Sequence, residues 1–275
     1  MGAAVFLEPA ALAGKTRLQH LELDTCPLLE LDSGVEQLLS QLQHMHQLTC
    51  LMLPEGLHKS VPCALAAAYA ALTASSKLQH LDVSYCCLPA GVWQHVFPSG
   101  RQLLQLLTLN IAQVQHPGEF PAAAPAGSRL VSCCPNLQSL DMRGLQLRKE
   151  LLTALQGLSG LHTLHLEAPE GSTVGLEGVC QLTGLRKLEV VEPGDKTGLL
   201  LQLTQLQLLT CLCHGYHPSE DVSISHSYIK VSFVDGRIHF YYSCIDMTVT
   251  VTVVTTSQCH SAEQSARIIS MCVES

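Results

Sequence analysis

One short phrase, L-x-x-L-x-L, recurs eight times along the first three quarters of the chain. It is plainest in Leu158–Val190, where LSGLHTLHL and LTGLRKLEV set Leu161 and Leu185 at matching places 24 residues apart. The copies are Leu18–Leu23 (LQHLEL), Leu48–Leu53 (LTCLML), Leu78–Val83 (LQHLDV), Leu104–Leu109 (LQLLTL), Leu137–Met142 (LQSLDM), Leu161–Leu166 (LHTLHL), Leu185–Val190 (LRKLEV) and Leu206–Cys211 (LQLLTC). Their starts lie 30, 30, 26, 33, 24, 24 and 21 residues apart. A beat of this length marks a repeat architecture, in which no unit can bury its apolar face alone and each must stack on its neighbours.

Within the phrase, L-x-L alternates as a short strand does, sending two apolar residues into a core and leaving their neighbours to solvent. The gaps between phrases read as helices. Val35, Leu38, Leu39, Leu42 and Met45 fall at helical spacing in Gly34–Gln47, with Ser33 as the expected N-cap. Ala64–Ser75 is an alanine-rich helix former, and further helices are expected around Gly91–Val96, Lys149–Leu158, Val174–Leu182 and Thr197–Leu203. Gln113–Ser132 has no apolar period and contains HPGEFPAAAPAG, so it reads as a loop that lengthens the fourth gap. Strand, helix, strand, repeated, gives a parallel sheet joined by right-handed crossovers.

These residues resemble the leucine-rich-repeat family, in its ribonuclease-inhibitor-like form. Cys26 and Cys86 stand eight residues after Leu18 and Leu78, so DTCPL and SYCCL are similar to the cysteine-containing subtype, whereas the later repeats place Leu145, Pro169 and Pro193 there. The resemblance covers about Leu18 to Leu212. It implies an α/β solenoid, a curved parallel sheet with outer helices, spanning 18–212 behind an N-terminal cap at 1–17. It also implies a protein-binding role on the concave strand face.

After Leu212 the composition changes: none of the 49 leucines lies in residues 213–275. There IKVSFV and RIHFYYSC flank Asp235-Gly236, a strong two-residue hairpin signal, and Asp246–Ser257 alternates Thr and Val. The segment reads as a β-rich tail that caps the open end of the solenoid. The rival reading is an appended sequence with no selected fold.

Charged residues make up only 14% of the chain and the net charge is −8, which argues against nucleic acid, whose phosphates need clustered Lys and Arg. The longest nearly apolar run, Ala64–Ala74, is too short to span a bilayer core of about 30 Å, and Phe6 stands where a myristoylation signal wants Ser or Thr. Thirteen cysteines, an odd number in a chain long enough to build a core, argue against a disulfide framework and for a reduced, cytoplasmic protein. No phosphate-cradling glycine loop, G-x-S-x-G elbow or H-E-x-x-H is present, so no enzyme and no cofactor is expected. The nearest approach to a metal cluster, Cys211, Cys213, His214 and His217 in CLCHGYH, lacks finger spacing, and no metal site is expected.

The candidate site is the outward strand face. Its middle column is expected to read Glu22, Met52, Asp82, Thr108, Asp141, His165, Glu189 and Thr210, with Asp24 and Glu167 adjoining and Arg143 and Lys187 as its positive charges. The partner-binding residues are therefore Glu22, Asp24, Asp82, Asp141, Arg143, His165, Glu167, Lys187 and Glu189. A mainly acidic column suits a basic protein partner. Two alternatives come with the resemblance: a substrate-recognition subunit of an SCF-type ubiquitin ligase, and a structural cytoskeletal or axonemal component. No F-box-like helical segment precedes Leu18, so the first would need that element on a separate chain.

Overall fold

A computed structural model describes residues 9–23, 32–53, 63–114, 124–145, 149–167, 176–179, 181–191, 208–214, 226–234, 237–244 and 247–254. The chain falls into two compact units, Met1–Leu161 and His162–Ser275.

In the N-terminal unit, strands β1 (His20–Glu22), β2 (Cys50–Met52), β3 (His80–Asp82), β4 (Thr108–Asn110) and β5 (Ser139–Asp141) lie side by side in chain order, all parallel. Leu21, Leu51, Leu81, Leu109 and Leu140 stand in register at their centres and are all buried. Each such side chain contributes about 2 kcal/mol through the apolar area it removes from water. Among the described residues the sheet is open, ending at β1 on one side.

One backbone device recurs at seven repeats among the described residues. The N–H of each leading leucine, at 18, 48, 78, 106, 137, 161 and 185, donates to the carbonyl three residues back. One residue later, the carbonyls of Gln19, Thr49, Gln79 and Leu107 each accept two successive N–H groups from the next strand, at 2.7–3.0 Å. These bonds correct the phase of the fourth copy. It runs Leu106–Ile111 (LLTLNI), not Leu104–Leu109, so the first five starts fall 30, 30, 28 and 31 residues apart. Leu106, Leu109 and Ile111 are fully buried, while Leu104 is 49% exposed. The run LLQLLTL satisfies the pattern in two phases, and burial chooses between them.

The gaps fold mostly as expected. Helix α1 spans Asp32–Leu42, so Ser33 lies inside it and not at its cap, and it buries Val35, Leu38, Leu39 and Leu42. The alanine-rich segment forms a 3-10 helix, Cys63–Thr73, followed by α2 (Trp93–Val96) and α4 (Lys149–Leu155). The loop expected over Gln113–Ser132 is overturned in part: α3 occupies Ala124–Cys133. Pro125 falls in its first turn, where the N–H that proline lacks would have no helical partner anyway. Leu130 and Cys133 close against the core, and α3 packs against α4.

In the C-terminal unit, β6 (Thr163–Glu167), β7 (Lys187–Val191) and β8 (Leu208–His214) are parallel, with Leu164, Leu188 and Leu209 in register; α5 (Leu176–Val179) lies between the first two in sequence. The helix expected at Thr197–Leu203 lies outside the described residues. Strands β9 (His226–Val234), β10 (Arg237–Cys244) and β11 (Met247–Val254) follow as an antiparallel meander, β9 pairing with β8. Val234 pairs with Arg237 across the predicted Asp235-Gly236 turn, whose two residues lie outside the description. The compositional break after Leu212 falls within β8, because a ladder of main-chain bonds is indifferent to the loss of leucine.

Register sets the cross-strand rows of the meander. Leu209, Val231, Phe240 and Val251 form one cross-strand row, and Cys211, Ile229, Tyr242 and Val249 form another on the same face. Thr210, Lys230, Tyr241 and Thr250 hold a row on the opposite face. In place of leucine, β-branched and aromatic residues continue the side on which Leu188 and Val190 are buried.

Candidate functional site

The outward residues of the parallel strands stand in columns set by register. In the N-terminal unit the middle column is Glu22, Met52, Asp82, Asn110 and Asp141. The corrected phase thus replaces Thr108 with Asn110 and moves Thr108 into the neighbouring column, with His20, Cys50, His80 and Ser139. In the C-terminal unit the middle column is His165, Glu189 and Thr210.

Three successive residues of the first column close the strand end in the same manner. Asp82 accepts from the Ser84 N–H at 2.9 Å, Asn110 from the Ala112 N–H at 3.1 Å and Asp141 from the Arg143 N–H at 3.2 Å. Each is a side chain bonding its own backbone two residues on, which short Asn and Asp do best. The remaining acceptor capacity is also engaged. Asp82 takes the Ser84 hydroxyl at 2.7 Å on Oδ1 and the Asn110 amide at 2.8 Å on Oδ2. Asp141 meets the Arg143 guanidinium at both oxygens, Nε to Oδ1 at 3.0 Å and Nη2 to Oδ2 at 2.6 Å. Such a forked pair is geometrically specific and cancels both charges locally.

The next positions complete the turn. Tyr85, Gln113 and Gly144 are equivalent by repeat, and all three have left-handed φ, of 57°, 54° and 76°. A Cβ on Gly144 would lie 2.5 Å from Cδ of Gln113. Tyr85 is 44% exposed beside Ser84. One residue on, Cys86, Val114 and Leu145 are buried; the Cys86 and Leu145 N–H groups bond the carbonyls three residues back, at 3.3 Å each. Leucine serves as well as cysteine at this position because the backbone closes the turn.

The predicted residues therefore separate into three sets. Asp82, Asp141 and Arg143 are brought into the bonded column of the N-terminal unit, and Glu22 lies at its exposed end, 3.5 Å from His20. His165, Glu167, Lys187 and Glu189 belong to the C-terminal unit, where the His165 ring nitrogen Nδ1 stands 3.7 Å from Glu189 Oε2 and Lys187 is exposed. Asp24 lies outside the described residues. Sequence reading missed Asn110, hidden by the phase error, and missed Ser84 and Tyr85. The signal was present in the dipeptide spacing Asp-x-Ser, Asn-x-Ala and Asp-x-Arg after each central leucine.

On this face Cys50 is a poor nucleophile. Burial foremost, then the carboxylates of Glu22 and Asp82, raises the pKa of the Cys50 thiol, which disfavours the reactive thiolate. Cys86, Cys87, Cys133 and Cys134 are all buried, so both members of each adjacent pair serve the core. Among the described residues no group of three or more His, Cys, Asp or Glu side chains could hold a metal ion. Cys211, Cys213 and His214 belong to β8, and His217 lies outside the description. No helix among the described residues is long and apolar enough to cross a membrane. No protein-family profile matches the chain. No curated protein matches its sequence.

Proposed function

We propose that the chain is a leucine-rich-repeat interaction module that binds a protein partner through its outward strand face, in the cytoplasm and without catalysis. The observation that carries this reading is the bonded column Asp82, Asn110, Asp141 and Arg143. Its side chains are held in place by one another and by their own backbone before any partner arrives. A pre-ordered polar surface loses little rotamer freedom on binding, which is where much of the cost of association lies. The exposed ring of Tyr85 at the rim supplies a rigid aromatic anchor of the kind that dominates interface energetics.

The pairing within the column changes the expected charge of the face. Arg143 neutralises Asp141, leaving Glu22 and Asp82 as the acidic members of the N-terminal unit's column; in the C-terminal unit Glu167 and Glu189 stand with Lys187. The partner is still one that offers Lys, Arg and neutral donors, drawn to a chain of net charge −8. The test is capture from a cell lysate by the full chain and by two variants, Tyr85→Ala with Glu22→Lys on the face and Gln94→Lys on the exposed side of α2. Loss of the same bound species with the face variant alone supports the reading. Equal capture by all three overturns it. Cullin and Skp-type subunits among the captured proteins would assign the ligase alternative, and tubulin or dynein subunits the axonemal one.

A further inference from the structure

Strand β11 ends the meander, and among the described residues its second edge pairs with no strand. Eight residues long, it reads MTVTVTVV, with no charge, proline or glycine. Sheet edges of this length are normally blunted by shortness, charge, proline or a bulge, because a row of unpaired N–H and C=O groups invites another chain. The N-terminal unit follows that practice: its end strand β1 has three residues, one of them the exposed Glu22. Strand β11 has none of these devices.

Its sequence also pairs with itself. When two copies of a strand lie antiparallel about a two-fold axis, residues directly opposite must share a face, so even-numbered positions oppose even and odd oppose odd. In β11 the even positions 248, 250 and 252 are Thr and the odd positions 249, 251 and 253 are Val. A two-fold pairing centred on Thr250 therefore sets Thr248 against Thr252 and Val249 against Val251, both favourable cross-strand pairs, with Met247 against Val253 at the end. It also carries the apolar rows of Val249, Val251 and Val253 across into the second copy on the same side of the sheet. A partner of different sequence would need its own alternation in matching phase; a second copy has it already.

We infer that β11 is a self-association edge, and that the chain forms a closed two-fold dimer by antiparallel β11–β11 pairing. Sedimentation equilibrium of the full chain over a concentration series tests it. Thr250→Lys with Thr252→Lys places like charges on the polar face across the two-fold, and so does Thr250→Glu with Thr252→Glu. Each doubly substituted chain alone should be monomeric, its dissociation constant raised about a hundredfold or more by like-charge juxtaposition. An equimolar mixture of the two should dimerise again, with circular dichroism of each matching the unsubstituted chain. A wild-type chain monomeric throughout, a dimer indifferent to these charges, a mixture that stays monomeric, or open-ended fibres in place of a dimer would each overturn the inference.

Discussion

Asn110 donates from Nδ2 to Oδ2 of Asp82 at 2.8 Å across the β3–β4 pair, and by register it has Asp141 on its other side. A neutral amide thus separates two carboxylates in a column that would otherwise stack three acids. The amide can donate to one neighbour while its own oxygen accepts the Ala112 N–H, a combination open to Asn and closed to an ionised Asp.

Asn110→Leu should destabilise the chain by about 1–3 kcal/mol, the cost of leaving half-buried polar groups without partners. Asn110→Asp keeps size and shape but sets like charges opposite one another, and should cost at least as much at low salt, with partial recovery at high salt. Urea denaturation at two ionic strengths checks both. A low-salt midpoint for Asn110→Asp equal to that of the unsubstituted chain would show that the column carries no electrostatic coupling.

The corrected phase of the fourth repeat makes a sharper comparison. Leu106→Ala removes a fully buried side chain and should cost about 2–5 kcal/mol, whereas Leu104→Ala changes a half-exposed one and should stay within about 0.5 kcal/mol. Thermal melts of the two variants, two residues apart, are enough. The reverse ranking would restore the phase read from the sequence.

That ambiguity shows where the sequence stops being informative. Period and strand positions were legible because Leu21, Leu51, Leu81 and Leu140 repeat a pattern with one solution. Around Leu103–Leu109 five leucines in seven positions admit two solutions, and the ladder bonds of Leu107 and the burial of Leu106 decide. Helix α3 was hidden for a different reason. Its first half is Ala, Pro and Gly, and its burial signal, Leu130 with Cys133, arrives only in the last turn. The acidic face was legible as a list of residues but not as a charge. That Arg143 turns back on Asp141, and that Asp82 is occupied by Ser84 and Asn110, follows from contacts between residues that a one-dimensional column treats as independent.

Gly144→Ala tests the turn that follows the column. Its φ of 76° costs an L-residue roughly 1–2 kcal/mol, and the new Cβ must also displace the Gln113 amide. Adding Gln113→Ala should relieve the second part and leave the first, so the double variant should recover part of the lost melting temperature. A Gly144→Ala chain that melts with the unsubstituted one would mean that this turn relaxes freely.

Stability should fall on the alkaline side, and Cys134 should account for part of it. Burial pushes its thiol far above the ordinary range, with Cys133 beside it acting in the same direction, and burial raises Cys133 and Cys50 as well. A group whose pKa is higher folded than unfolded binds its proton more tightly in the native state. Its contribution is therefore complete below the unfolded pKa, near 8.5 for a thiol, and is lost as pH climbs from there toward the folded value. In that window each such thiol removes up to about 1.4 kcal/mol per pH unit. Lysine and tyrosine titrate over the same range, so the quantity to measure is the difference between the chain and Cys134→Ala, followed by thermal melting from pH 7 to about pH 10.5, a span chosen to bracket the thiol and reach the ordinary lysine range. The variant should begin less stable, because a buried side chain is shortened, and should lose less with each added pH unit, so that the two curves converge. Parallel curves would place the alkaline loss elsewhere and remove the buried thiol from the account.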